Sequence, residues 1–420
     1  MNMDNAVNIN DNFTLIIDRA SHFKTITLNL YIMEQLGENV TKFALLPLVL
    51  KHGSRNLPTL RDIESRLDNM YGALFNIDVF KKGNIQLANY SLSVLNDRYA
   101  DNRHLIDDAL SFLNEVLFNV LVENNKFNQK YVEIDKDNIR KMIEARINDK
   151  RTYAIERCIE LMCAGDPYAI YPLGIADDIN NINEENLYSY YIDLFRRTRV
   201  VMVITGDIVS KDMVEKVKQI LPINIPDRRV YFTGDLIKKT DELHFYSESM
   251  DVTQGKLSIG YTTETRPCDD DYFSLMLFNS ILGGGPQSKL FNNVREKASL
   301  AYYASSRLER FKGILEIYCG IELEDYEKAL EIIDKQVEEL KAGNITDYEF
   351  EASKSELIHT FKSIFDSPNR RAGLYLGELL AGTNYGPEDY IRKISSLTRE
   401  DVVEVGQKVN KNTVYFLKNK

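Results

Sequence analysis

Alternation of apolar and polar positions defines the first elements of the chain. Ile26, Leu28 and Leu30 alternate with Thr25, Thr27 and Asn29, the pattern of a half-buried strand over Lys24–Met33. Phe13–Asp18 reads as another strand, set off by the polar turn Arg19–Ser21. The period then lengthens. An apolar helix is predicted from about Lys42 to Lys51, and a second begins after Pro58, with Thr59 as N-cap, and runs to about Met70. Two strands follow, Ala73–Phe80 and Ile85–Val94, joined by the turn Lys81-Lys82-Gly83-Asn84. After Asp101, Leu105, Ala109, Phe112, Leu113, Val116 and Leu117 fall on one helical face. A long charged helix starts near Asn128 and reaches the region of Asp149, with a further helical segment through Cys163. Gly165–Ile182 is irregular. Asn183 caps a helix to Arg197, Val200–Thr205 is an apolar strand ending in Gly206-Asp207, and a helix from about Lys211 to Leu221 closes this half.

The pattern then breaks. Pro222, Pro226, Asp227, Arg228, Arg229, Lys238 and Lys239 mark 222–240 as a linker between two domains, 1–221 and 241–420. The second half echoes the first. Val79–Leu117 resembles Arg310–Leu340, with Phe80-Lys81-Lys82-Gly83 matching Phe311-Lys312-Gly313 and Tyr90 matching Tyr318. Tyr326, Leu330, Ile333, Val337 and Leu340 form the apolar face of the helix that follows. Ile179–Asn183 echoes Ile394–Thr398, again before a helix and a strand. A near-constant offset implies two copies of one α+β unit, each a sheet with helices on one face.

Composition narrows the function. With 52 basic and 63 acidic residues the net charge is −11, which disfavours nucleic-acid binding by phosphate neutralisation. The start, MNMDNAVNINDN, lacks the basic and apolar regions of a secretory signal, and no window approaches the roughly 20 apolar residues of a membrane span. Cys158, Cys163, Cys268 and Cys319 form no CxxC pair and read as free thiols of a reducing cytoplasm.

Catalytic candidates are few. The five histidines, His22, His52, His104, His244 and His359, are too far apart in sequence to form a His-x-x-x-His pair. His104 with Asp107 and Asp108 has helical spacing for a shared cation but reads better as a solvated helix start; His52 reads as a surface or corner residue. Gly-x-Ser-x-Gly and Cys–His nucleophile signatures are missing. Gly283, Gly284 and Gly285 form a corner between two helices, permitting backbone angles that side chains forbid. The loop continues Pro286, Gln287, Ser288, Lys289 and so does not complete a phosphate-binding motif. Ser288, Leu290, Phe291 and Val294 then fall at helical spacing, and Ala301–Ser305 begins a strand. On residue pattern alone Arg295 is a solvated helix charge and Tyr302 a half-buried strand aromatic.

The run ILGGG, KLFNNVREK and LAYYASS resembles the C-terminal domain of the M16 peptidases, the zinc-dependent pitrilysin, insulinase and processing-peptidase family. That resemblance implies two tandem homologous domains, each a mostly antiparallel sheet with helices on one face. It also assigns Arg295, Tyr302 and the glycines Gly283–Gly285 to peptide binding. Active members carry His-x-x-Glu-His on the first helix, where two imidazoles and a later Glu hold zinc and the inner Glu activates water. Aligned on Gly53, this motif falls on Ala44-Leu45-Leu46-Pro47-Leu48. Ala44 and Leu48 replace the histidines, Pro47 replaces the catalytic glutamate, and the third ligand falls near Lys141 or Met142, with Glu133 and Glu144 close by. The chain is thus similar to an inactive bacterial branch of the family. The resemblance implies no catalytic residue, no metal of its own, and a zinc-bearing homologue as heterodimer partner. A scaffold that holds peptide or protein without a peptidase partner is the alternative.

Overall fold

The computed structural model describes residues 6–100, 104–221, 223–227, 231–240 and 242–420. Its first half contains strands β1 (Ala6–Asn10), β2 (Phe13–Arg19), β3 (Thr25–Gln35), β4 (Leu74–Lys82) and β5 (Ile85–Leu95). A short ribbon of β6 (Val122–Glu123) and β7 (Lys126–Phe127) precedes β8 (Val200–Gly206). The main sheet has the order β1-β2-β8-β3-β5-β4. The two opening strands are therefore not neighbours. β8 lies between them, parallel to β2 and antiparallel to β3, and is apolar at nearly every position because both of its faces are buried. β1 (AVNIN) is a short, partly exposed edge strand, with Asn8 accepting a bond from Thr14 on β2.

Helices α1 (Val40–Leu50), α2 (Leu60–Asn69), α3 (Leu105–Phe118), α4 (Gln129–Glu144), α5 (Lys150–Met162) and α6 (Glu184–Arg197) lie between these strands, and α7 (Ser210–Ile220) follows β8. Their starts are chemically marked. Thr59 forms a capping box with Asp62, and Asn128, Asp149 and Asn183 accept bonds from the first free backbone N–H groups of α4, α5 and α6. All the apolar residues predicted for α3 are buried against the sheet.

The second half has β9 (His244–Ser249), β10 (Gly255–Thr262), β11 (Ala301–Glu309), β12 (Ile314–Ile321) and β13 (Asn410–Lys418). Their order, β11-β12-β10-β13-β9, repeats β4-β5-β3-β8-β2. In both sheets the one parallel pair is the corresponding pair, β2 with β8 and β9 with β13. The helices are α8 (Tyr272–Gly283), α9 (Tyr326–Lys341), α10 (Asp347–Ile364), α11 (Pro368–Ala381), α12 (Pro387–Ser396) and α13 (Arg399–Gly406), with a π-helical segment at Phe291–Lys297. Thr398 caps α13 as Asn183 caps α6, so that echo corresponds to equivalent structure. The pairing of Tyr90 with Tyr318 does not. Tyr90 faces the helices with Ala88 and Leu92, whereas on β12 the helix-facing set is Leu315, Ile317, Cys319 and Ile321. Tyr318 lies on the opposite face, because a one-residue slip on a strand exchanges its faces.

Each sheet's remaining face is covered by a helix from the opposite half. α11 lays Ala372, Tyr375 and Leu376 on Ile16, Tyr31, Met33, Val201 and Val203 of the first sheet. α5 lays Ala154 and Cys158 on Val252, Tyr415 and Leu417 of the second. Both exchanges are pinned by a strand carboxylate. Asp18 on β2 accepts two bonds from Arg371, at 2.5 and 2.6 Å, and one from the Tyr375 hydroxyl at 3.0 Å. Glu248 on β9 accepts from Arg157 at 2.7 Å and from the hydroxyls of Tyr153 and Tyr415. Arg–Tyr in one helix and Tyr–Arg in the other, four residues apart in each case, therefore perform the same task.

The segment 231–240 is tied to both halves. The Asn84 N–H donates to the Thr233 carbonyl at 2.7 Å and the Ile237 N–H to the Lys312 carbonyl at 2.9 Å. Gly83, at φ +52°, lies directly against the Thr233 carbonyl, where a Cβ has no room. Beside it the fully buried Lys312 ammonium donates to Asn84 and to both oxygens of Asp166. On β12 under α5, burial pushes the Glu316 carboxyl up to about 7, against the opposing pull of Arg307, which donates to it at 2.8 Å.

Two outcomes follow from this interface. Arg371→Ala leaves Asp18 charged and buried and should destabilise the protein by about 3–5 kcal/mol in urea titrations, whereas Arg157→Ala at the more exposed Glu248 should cost less. Equal losses would show that the two clamps do not differ by burial. For Glu316 the folded pKa lies above the ordinary 4.5, so the folded state holds the extra proton. Stability is then lost as pH rises from about 4.5 to about 7. Glu316→Gln stays neutral and should gain on the parent across that window, read as a larger Tm difference at about pH 8 than at about pH 5. An unchanged difference would mean that Glu316 stays ionised throughout.

Candidate functional site

The first helix sets what chemistry is available. Ala44 and Pro47 of α1 are buried, Leu48 packs against the same hydrophobic core, and none of the three offers a metal-ligating atom. Pro47 also removes an N–H from the helix interior. Across from α1, on α4, Met142 is 47% exposed, Lys141 forms an ion pair with Asp137, and Glu133 holds Lys136 at 2.9 Å. Glu144 is exposed.

The histidine readings resolve differently. His52 does sit at a corner, just after α1, but it is not a surface residue. Its Nε2 lies 2.9 Å from the buried Asp135 carboxylate, and its ring stacks on Tyr131 at 4.5 Å, so it bolts the end of α1 to α4. His104 is exposed at the start of α3, while Asp108 is paired with Arg66 at 2.7 Å and Asp107 with Lys216. Among the described residues no three His, Cys, Asp or Glu side chains gather closely enough to hold a metal ion.

The glycine corner differs from its sequence reading in mechanism. None of Gly283, Gly284 and Gly285 has positive φ. What Gly283 supplies is proximity: a Cβ there would strike the Ser306 backbone, so its absence lets α8 press against β11. The second helix of the stretch is the π-helical segment. On it, Arg295 lays its guanidinium 4.6 Å from the centre of the Phe291 ring, with Nε 3.6 Å from Glu296 and the side chain 43% exposed. It stands as a solvated charge on this turn.

Tyr302 is more open than a half-buried strand residue. β11 and β12 slip register between Ala301 and Tyr303, leaving Tyr302 as the extra residue of a bulge, 59% exposed. Its hydroxyl donates to Glu322 at 2.9 Å, and that bond raises the phenol above its ordinary range. The bonds of Arg295 and Tyr302 run to different partners. They are brought near in sequence, at the head of β11, the outermost strand of its sheet.

Sequence reading missed a cleft of about 160 Å³ farther along β11, where the two halves meet. Lys81 from β4, Arg307 from β11, and Arg146, Glu156 and Tyr168 from the α5 region line it. The Lys81 ammonium donates to the carbonyls of Tyr168 and Ile170 at 2.5 and 2.8 Å, and burial pushes its pKa down to about 8. Only the exchange of α5 between halves assembles this set, so no local motif announces it.

Comparison with known proteins gives this geometry a family. Residues 181–357 match the model described as "Peptidase M16 inactive domain". The chain is 33% identical over 407 residues to the "Probable inactive metalloprotease YmfF" of Bacillus subtilis, covering 96% of this chain and 95% of that one. It is also 25% identical over 240 residues to the "Uncharacterized zinc protease YmxG" of the same bacterium, covering 55% of this chain and 56% of that protein. A crystal structure of a conserved Enterococcus faecalis protein superposes with a TM-score of 0.89 at 29% identity, covering 99% of both chains. The repeated sheet order and the full-length likeness have one account: this chain belongs to the M16 peptidase family, as an inactive member.

Proposed function

We propose that the chain is the non-catalytic subunit of a two-chain M16 peptidase, binding peptide while a zinc-bearing homologue performs hydrolysis. The observation that carries this reading is an asymmetry. The positions of the zinc motif are apolar, whereas Gly283–Gly285, Arg295 and Tyr302 persist at the head of an outermost strand. Such an edge offers unpaired backbone groups to an extended peptide. Arg295 then grips a backbone carbonyl or carboxylate, with Tyr302 beside it. Zinc belongs to the partner alone. That one bacterium holds relatives named as an inactive metalloprotease and as a zinc protease supports the pairing. Four free cysteines support a cytoplasmic setting, and no helix of the described residues is long and apolar enough to cross a membrane.

A tagged pull-down from the native cell should recover a homologue with intact His-x-x-Glu-His. Recovery of this chain alone would favour a stand-alone scaffold. In the reconstituted pair, Arg295→Ala should slow peptide cleavage roughly tenfold without dissociating the subunits, the cost of about one charge-assisted hydrogen bond. Unchanged kinetics would remove Arg295 from the clamp.

A further inference from the structure

Beside β11, the second sheet is only partly roofed. α5 packs on β10 and β13 and leaves Tyr303 and Tyr318 as a floor next to the outermost strand. Tyr303 lies across Gly320, where any Cβ would meet its ring. The Arg151 guanidinium sits 4.2 Å from the centre of the Tyr303 ring and 5.1 Å from that of Tyr318, with the Lys256 ammonium 5.8 Å from Tyr303. Four residues along the same face of β11, Arg307 and Lys81 line the cleft between the halves.

The ion pairing of this strip is one-sided. Glu156 and Glu160 are held by Arg146, Glu316 by Arg307, and Glu322 by the Tyr302 hydroxyl. By contrast, among the described residues Arg151, Lys256 and Lys81 have no carboxylate within ion-pair distance; Lys256 donates only to Gln254, and Lys81 only to carbonyls. In a chain of net charge −11, a line of unspent cations beside a sheet edge calls for an anionic visitor.

The geometry points to an acidic extended peptide as the occupant of this groove, with one carboxylate at Arg151 and Lys256 and a second at Lys81, level with Arg307, which is itself paired with Glu316. This rests on the reading of β11 as a peptide-binding edge and adds the class of peptide. Tyr303 and Arg307 are four residues apart, roughly 13 Å at about 3.3 Å per residue. An extended peptide places i and i+4 on one face and i+3 on the other, so the spacing selects Glu-x-x-x-Glu over Glu-x-x-Glu. The electrostatics agree: burial and the neighbouring Arg151 lower the Lys256 pKa, a cost that a bound carboxylate relieves.

The test is fluorescence anisotropy with the full chain and labelled peptides of about ten residues. One carries Glu at i and i+4, one has both replaced by Gln, and one carries Glu at i and i+3. At low salt the first should bind roughly tenfold tighter than the other two, with the advantage shrinking at about 0.5 M salt. Arg151→Glu at an exposed position, or Lys256→Glu at a half-buried one, should abolish it. Equal binding of the Glu and Gln peptides overturns the acidic groove while leaving the β11 edge as a peptide site. An acid preference that survives both charge reversals also overturns it. No binding of any peptide removes both readings.

Discussion

The structure depends on an exchange of helices held by two buried or half-buried carboxylates. Asp18 and Glu248 occupy corresponding strands, β2 and β9, each a member of the parallel pair of its sheet. Each draws an arginine and a tyrosine from a helix that began in the other half. Burying a lone carboxylate is strongly unfavourable, so each sheet is complete only when the opposite half delivers its helix. Folding of the halves is coupled by electrostatics as well as by the apolar surface under α5 and α11. The tightly bonded segment 231–240 and the buried Lys312–Asp166 pair close the seam between the hairpin turns.

How much of this was readable follows from the range of each interaction. Helices with one apolar stripe and caps such as Thr59 and Asn183 are encoded within a few residues, and they appear where the pattern placed them, whereas β3, which alternates like a half-buried strand, is buried on both faces because α11 covers the second. The repeat was readable as well, down to Asn183 and Thr398. What failed was information carried across the chain. β8 inserts between β2 and β3, which no local period reports. The Tyr90–Tyr318 match failed by one residue, enough on a strand to choose the wrong face. The clamps left a signal, Arg371 with Tyr375 and Tyr153 with Arg157 at i and i+4. Without their distant carboxylates these pairs look like ordinary solvated helix residues.

The candidate site was legible in a different proportion. The residue types at Ala44, Pro47 and Leu48 are apolar, and the structure places all three in or against the core. The glycine corner was found for the wrong reason, since close packing of α8 on β11, and not a left-handed backbone, excludes a side chain at Gly283. Tyr302 owes its exposure to a bulge that alternation could not foresee, because the bulge is a property of the pairing between β11 and β12.

In this architecture a metal site and an exposed strand edge make physically separate demands on the sequence. Zinc chemistry needs several polar donors converging on one point, and α1 places the apolar Ala44, Pro47 and Leu48 in or against the core. A strand edge needs no particular side chains: its backbone groups persist so long as the sheet does. The sheet in turn is maintained by the exchanged α5, which fixes β10 and β13 and leaves β11 outermost. The same helix carries Arg151 to the flank of that edge. Stability of the two-half assembly and the position of Arg151 beside the outer strand β11 are therefore one requirement.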